Sequence, residues 1–563
     1  MTTLLKNANL INVFTNEIYK SDILIDGQNI VGVGDYSDYL ADVTVEAEGK
    51  FVCPGLIDGH IHIESTMLMP YALSRACIPH GTTAIVADPH EIANVCGKDG
   101  IRFMIESSVG LPFDVYVSLP SCVPATPFDE AGAVLSAEDL EEFYSHPRVV
   151  ALGEMMNYVG VNFGFKEVHQ KIIHAKINKK IINGHAPLLS GKDLDKYVSA
   201  GIRDDHECSN IDEALEKLRK GQKIMIRQGS AATNLMDLLD LFDGAYADRC
   251  MLVSDDKHPS DLLKNGHLDN SIKMAIHAGK DPVTAIKMAT IVPAQHFGLS
   301  DVGAVAPGYK ADVLILDDLN DFKINTVIKN GEVVFENGDL KPYSAPTVPE
   351  ALQSKVTSSV KVAPLTRKSF KLRPTASKTR VINLTPGSIL TTETQEVLNF
   401  DKGSGISVQD DILKVAVIER HHGTQHIGIG FVKGAGLKKG AIASTVSHDS
   451  HNLIVIGASE EDMATACNRI TEIGGGLVAV DGGEIIGEMA LPIAGLMTEV
   501  SAKEAAEQHE KMVNSVQKLG VPNDSAPFMN MAFLSLPVIP HIKITTLGLV
   551  DVNNQSIVDL FVD

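Results

Sequence analysis

The chain has 563 residues, of which 44% are hydrophobic and 21% charged, a soluble globular composition too long for one ordinary core and pointing to two to four domains. Its formal net charge of -22 argues against a nucleic-acid partner, because a phosphate backbone is held mainly by Lys and Arg. No run approaches the roughly 18 apolar residues of a membrane span, and the N-terminal MTTLLKNANLINVFTNEIY lacks the uninterrupted apolar core of a signal peptide. Seven cysteines, at 53, 77, 96, 122, 208, 250 and 467, show neither CxxC nor paired spacing, which is cytoplasmic usage with reduced thiols.

Residues 1–50 read as short strands, LLKNANLINV and DILIDGQNIVGVG, broken by Asp-Gly and Asn turns. They are too few to bury a core and are expected to pair with something distant. From 51 to 300 apolar strand-like runs alternate with helical segments, which predicts a compact (β/α)8 barrel in an α/β fold. The eight strand candidates are FVCPGLIDGHIH, TTAIVADP (82–89), FDVYVSLP (113–120), VVALGE (149–154), KIINGH (180–185), IRDDHE (202–207), KIMIRQGS (223–230) and CMLVSDD (250–256). The sixth is polar throughout and rests only on its place between its neighbours. Residues 301–345 again read as short strands and would complete one composite sheet domain with residues 1–50. A Pro-, Ser-, Lys- and Thr-rich stretch, 346–380, reads as a linker. The remainder, 381–563, predicts a C-terminal α+β domain with two polar clusters, HHGTQH (421–426) and SHDSHN (447–452). Its Gly-rich IGGGLVAVDGGEII (473–486) lacks the strand-GxGxxG-helix context of a dinucleotide site and reads as tight turns.

The chemistry gathers at the strand ends. In CPGLIDGHIHIESTM an extended backbone points His60 and His62 the same way, with Asp58 on the same side. Asp88, Glu154, His185, His206 and the pair Asp255–Asp256 also fall at C-terminal strand ends, where a (β/α)8 barrel builds its active site. For any one of them, capping a following helix is the competing role. Four imidazoles and two carboxylates suffice for two divalent ions, with Glu154 placed to bridge them. Metal coordination lowers the pKa of water by several units, and the resulting nucleophile attacks an electron-poor carbon in an amide, imide, ester or amidine-like heterocycle. A carboxylate on the last strand is suited to take the water's proton and pass it to the leaving group. Asp255 is the choice for ligand and proton carrier; spacing alone leaves Asp256 open. Glu207 is a second proton-handling or substrate-contacting candidate, against a helix-capping role.

PGLIDGHIHIEST, the later single histidines and the Asp after the eighth strand resemble the amidohydrolase superfamily, and the split strand sets resemble its composite β-sandwich. DGHIHIESTM, ADPHEIANVCG, GEMMNYVGV, NGHAPLLSG, DDHECSN, VSDDKHP and the C-terminal SHDSHN resemble, within it, the bacterial-type adenine deaminase family over essentially the whole chain. That resemblance implies hydrolytic deamination of adenine to hypoxanthine and ammonia in purine salvage, by a metal-bound hydroxide attacking C6. It implies a binuclear centre of manganese or iron, with zinc a further option, and a homodimer. By motif position His60, His62, Glu154, His185, His206 and Asp255 are carried over as the metal shell. A fourth strand ending in Glu154, where many amidohydrolases carry a modified Lys, matches that family and weakens the case for hydantoinase-like relatives. Asp88, His90 and Glu91 are candidate contacts to the purine ring. His448, Asp449 and His451 are candidates for a lid over the barrel mouth or for a further metal. The competing readings are an amidohydrolase acting on a cyclic amide or N-acyl substrate, and a metal-binding scaffold with a degenerate site, which the intact run of six ligands argues against.

Overall fold

The computed structural model describes residues 1–230, 232–385, 390–400, 403–523 and 526–563. The chain divides into two compact units: Met1–Pro89, Met104–Ser121 and Leu140–Thr347 form the first, and His90–Phe103, Cys122–Asp139 and Val348–Asp563 the second.

In the first unit eight parallel strands follow one another: Leu56–Ile61 (β1), Thr82–Ala87 (β2), Asp114–Leu119 (β3), Val149–Met155 (β4), Ile181–Gly184 (β5), Asp204–Asp205 (β6), Lys223–Arg227 (β7) and Cys250–Val253 (β8). β1 to β5 pair in sequence order as one curled sheet and β6 to β8 as another. Two seams join them into one α/β arrangement. At one, Arg203 N–H donates to the Ile182 carbonyl at 3.0 Å; at the other, Asp255 N–H donates to the His60 carbonyl at 3.0 Å beside an Ile61–Asp255 bridge. Every residue of β1, β2 and β4 is buried, as expected of parallel strands covered on both faces.

The apolar run at 51–62 is two strands rather than one. Phe51–Pro54 pairs antiparallel with Val313–Asp318, and β1 begins only at Leu56. Gly55 lies between them, where a Cβ would come within 2.3 Å of Thr83 Oγ1, so the chain passes there only without a side chain. Through Phe51–Pro54 the strands that precede and follow the barrel in sequence merge into one nine-stranded sheet, with Leu10, Ile23, Val52, Val313 and Ile315 in its core. β6 is short because its two residues are Asp204 and Asp205, whose side chains serve the neighbouring strand's ends.

The second unit is built on a nine-stranded, mostly antiparallel sheet running from Thr391–Glu396 at one edge to Glu484–Ala490 at the other. The helix Glu460–Glu472 lays Met463, Ala466, Cys467 and Ile470 onto it against Val455 and Val478. Ser459 caps that helix by accepting from Asp462 N–H. Phe370, from the Pro- and Ser-rich stretch, is fully buried in the same core. Two segments that lie inside the barrel in sequence, His90–Phe103 and Cys122–Asp139, belong to this unit. Their tie to it includes Asn452 Nδ2 donating to the Glu130 carbonyl at 2.7 Å. All seven cysteines are free, and among the described residues no helix is long and apolar enough to cross a membrane.

Candidate metal centre

Each residue expected to hold a metal sits at the C-terminal end of a barrel strand. His60 and Glu154 lie within β1 and β4, His62, His185 and His206 directly follow β1, β5 and β6, and Asp255 follows β8 by one residue. All six are buried. Glu154 organises them, because its two oxygens face different histidine pairs. Glu154 Oε1 lies 3.2 Å from His62 Nε2 and 4.0 Å from His60 Nε2. Glu154 Oε2 lies 2.6 Å from His185 Nδ1 and 3.2 Å from His206 Nε2. Asp255 Oδ1 joins the first pair, 3.3 Å from His62 Nε2 and 3.7 Å from His60 Nε2.

This arrangement fits divalent cations. His62 Nδ1–H donates to the Asp88 carbonyl at 3.1 Å, which fixes the ring with its Nε2 toward Glu154 and Asp255. His60 Nε2 is buried in the same cluster without a hydrogen-bond partner. Two ring nitrogens, His185 Nδ1 and His206 Nε2, lie 3.2 Å apart with Glu154 Oε2 near both. Nitrogens aimed together beside carboxylates are a cation's donor set, and His with carboxylate suits zinc, iron or manganese. Burial holds His60 well below the usual histidine range, helped by His206 and His62, which keeps its imidazole neutral.

Buried aspartates staple the ligand-bearing strand ends together. Asp58, expected beside the histidines, turns away from them: its Oδ1 accepts from His60 N–H and Ser254 N–H, its Oδ2 accepts from Ser254 Oγ–H at 2.5 Å, and His267 Nε2 lies 3.1 Å from Oδ2. Asp88 Oδ2 accepts from Glu154 N–H at 2.8 Å, so with its carbonyl on His62 this residue positions two ligands. Asp204 and Asp205 immediately precede His206 and reach back to flank His185, accepting from Gly184 N–H and Ala186 N–H. Each staple satisfies buried backbone donors that water cannot reach.

Asp255 and Asp256 are separated by their partners. Asp255 adopts the left-handed conformation at φ +58°, which sends its side chain into the histidine cluster, whereas Asp256 Oδ1 accepts from Ser65 Oγ–H at 2.6 Å. Glu207 has both oxygens on a residue that sequence reasoning passed over, Arg227 at the end of β7. Arg227 Nη1 donates to Glu207 Oε1 and Nη2 to Glu207 Oε2, while Nη1 also reaches Asp255 Oδ2 at 3.0 Å. Burial alone would raise the Glu207 carboxyl, but Arg227 and His185 outweigh it and hold it well below the usual carboxylate range. The one signal for Arg227 was a charged residue closing the apolar run Ile224–Ile226.

The remaining candidates lie in the second unit, where the fold brings His90 and Glu91 to the SHDSHN turn. Glu91, His448 and His451 form one buried group, with His90 Nε2 3.6 Å from Asp449 Oδ1. Ser447 N–H donates to His451 Nδ1 at 3.1 Å, which leaves Nε2 as the protonated nitrogen, 3.2 Å from Glu91 Oε2. That tautomer turns an N–H of His451 toward the Glu91 carboxylate.

Two family models match the chain: the amidohydrolase family over residues 51–334, and the adenine deaminase C-terminal domain over residues 388–556. Adenine deaminase 2 of Carboxydothermus hydrogenoformans is 46% identical over 98% of this chain and 96% of its own length. The adenine deaminase of Clostridium acetobutylicum is likewise 46% identical, over 98% and 96%. Among solved structures, a β-aspartyl dipeptidase of Fervidobacterium islandicum is similar over 61% of this chain and all of its own, with 19% identity and a TM-score of 0.49. With nearly half its residues shared along almost its full length with such relatives, the chain belongs to the adenine deaminase family of amidohydrolases.

Proposed function

We propose that the chain hydrolyses adenine to hypoxanthine and ammonia at the strand-end cluster, with His60, His62 and Asp255 holding one divalent ion, His185 and His206 the other, and Glu154 spanning both. The observation that carries this reading is the division of Glu154, one oxygen toward each histidine pair. When bound, the ions supply the Lewis acidity that makes water a nucleophile at neutral pH. The chain's own residues do the rest. Asp255 takes a proton from the attacking water through Oδ1 and returns it to the exocyclic nitrogen of adenine. The C6–N6 bond then breaks, ammonia leaves, and the water oxygen remains on C6. Asp88, Asp204 and Asp205 keep the ligands in place through backbone N–H groups, so the cluster is held in register before substrate arrives.

Manganese or ferrous iron is the proposed metal, with zinc as a third choice, as the family resemblance implies; the imidazole and carboxylate donors suit all three. Seven free cysteines and the acidic charge balance support a cytoplasmic enzyme of purine salvage without a nucleic-acid partner; a homodimer is proposed from the family resemblance. The test is ammonia release from adenine by manganese- or iron-loaded protein, with His60→Ala and Glu154→Ala alongside. Turnover in the wild type that is lost in both variants supports the reading. Absence of turnover in protein carrying two metals sinks it and moves the search to cyclic amides and acylated amines.

A further inference from the structure

Arg227 is a buried cation inside the carboxylate and histidine cluster of the first unit, and every polar atom of its guanidinium is engaged. Nε donates to Asn234 Oδ1 at 2.9 Å, and Asn234 is tied back through its own N–H to the Arg227 carbonyl. Nη2 donates to Glu207 Oε2 at 2.9 Å, and Nη1 serves both Glu207 Oε1 and Asp255 Oδ2. A planar fork held at three corners leaves its partners one orientation each. With Oδ2 on Arg227, the other oxygen of Asp255 is the one turned to His60 and His62. With both oxygens of Glu207 on the same fork, that carboxylate is fixed in place with its Oε1 3.4 Å from His206 Nε2 and 3.7 Å from His185 Nδ1.

We infer that Arg227 is a positioning residue that sets the orientation of the two carboxylates: it presents Asp255 through Oδ1 alone and holds Glu207 fixed beside His185 and His206. This rests on the proposed role of Asp255 as proton carrier. Glu207, in turn, balances the guanidinium charge, so that Arg227 orients Asp255 without being left as an uncompensated buried cation. The fork is what matters. A Lys at this position carries the charge but satisfies one oxygen at a time.

The test uses full-length, metal-loaded Arg227→Ala, Arg227→Lys and the milder Asn234→Ala beside wild type, with metal content, kcat, KM for adenine and the visible spectrum of the cobalt-substituted protein as readouts. In Arg227→Ala, kcat is expected to fall on the order of 100-fold, the scale of a displaced reacting group, with KM and metal content close to wild type. Added guanidinium should restore part of the loss, Arg227→Lys should not, and Asn234→Ala should show a smaller fall in the same direction. The cobalt spectrum should change in Arg227→Ala as the freed second oxygen of Asp255 turns to the ion. An unchanged kcat, a rise in KM alone, or a loss of metal would each overturn the inference. If Arg227→Ala fails to fold, Arg227→Gln/Glu207→Gln, which removes both charges together, takes its place with the same expected fall in kcat and the same spectral change. Wild-type protein inactive on adenine counts against the proposed reaction, whereas an active wild type with an equally active Arg227→Ala counts against Arg227 alone.

Discussion

Asp58 offers the sharpest test of how the ligand cluster is held. It is fully buried and its carboxylate accepts from three donors, His60 N–H, Ser254 N–H and Ser254 Oγ–H. Asp58→Ala orphans all three. At roughly 1–3 kcal/mol per buried unsatisfied donor the loss is on the order of 5 kcal/mol, comparable with the whole stability of an ordinary domain. Asp58→Asn keeps one carbonyl oxygen for the two backbone donors but presents an NH2 to Ser254 Oγ and His267, giving up one charged hydrogen bond worth about 1.5–3 kcal/mol. The expected outcome is graded. Asp58→Ala is poorly folded, while Asp58→Asn folds with a lowered unfolding midpoint and ammonia release reduced on the order of 100-fold, since β1 and β8 no longer hold His60 and Asp255 in register. Calorimetric unfolding and adenine turnover measured on the same preparations decide it. If Asp58→Ala matched wild type in both, the stapling of ligand strands by buried aspartates would be refuted.

Other perturbations follow the same geometry. Gly153→Ala puts a Cβ within 2.1 Å of Asp88 Oδ2, the oxygen that holds Glu154 N–H, so turnover should drop sharply while the second unit's unfolding is unaffected. Burial pushes the Asp129 carboxyl up to about 7 against a hydrogen bond from Ser450, with Asp449 and Glu130 adding to the rise. A raised folded pKa means stability is lost as pH climbs from about 4, the unfolded value, through about 7. Asp129→Asn should therefore match wild type near pH 4 and melt higher above pH 7; equal melting curves at pH 8 would contradict this. Prolonged chelation should abolish turnover, and added manganese or ferrous iron should restore it, with activity that survives complete metal removal excluding the metal-centre reading.

Much of the site was legible in the sequence because the ligands recur at the ends of apolar strands, a register that burial on both faces imposes. His60, His62, Glu154, His185, His206 and Asp255 all lie in the cluster where strand-end placement puts them. Asp58 shares their strand parity but not their role, since period-2 alternation gives a face and says nothing of which donors a carboxylate will find there. Asp255 and Asp256 could not be told apart by spacing; a positive φ at one and a Ser65 hydrogen bond at the other separate them. Arg227 closes an apolar run, a weak signal on its own, and its meaning comes from partners 20 and 28 residues away in sequence. Likewise, the adherence of 90–103 and 122–139 to the second unit comes from contacts across hundreds of residues, such as Asn452 with Glu130, that no local periodicity encodes.

The most direct measurement is a titration of metal-free protein with manganese while ammonia release from adenine is followed. A rise in activity that saturates at two equivalents per chain, and at fewer in Glu154→Ala, is the result expected of two ions spanned by Glu154. Saturation at one equivalent in the wild type, or two bound ions without any turnover of adenine, would contradict it.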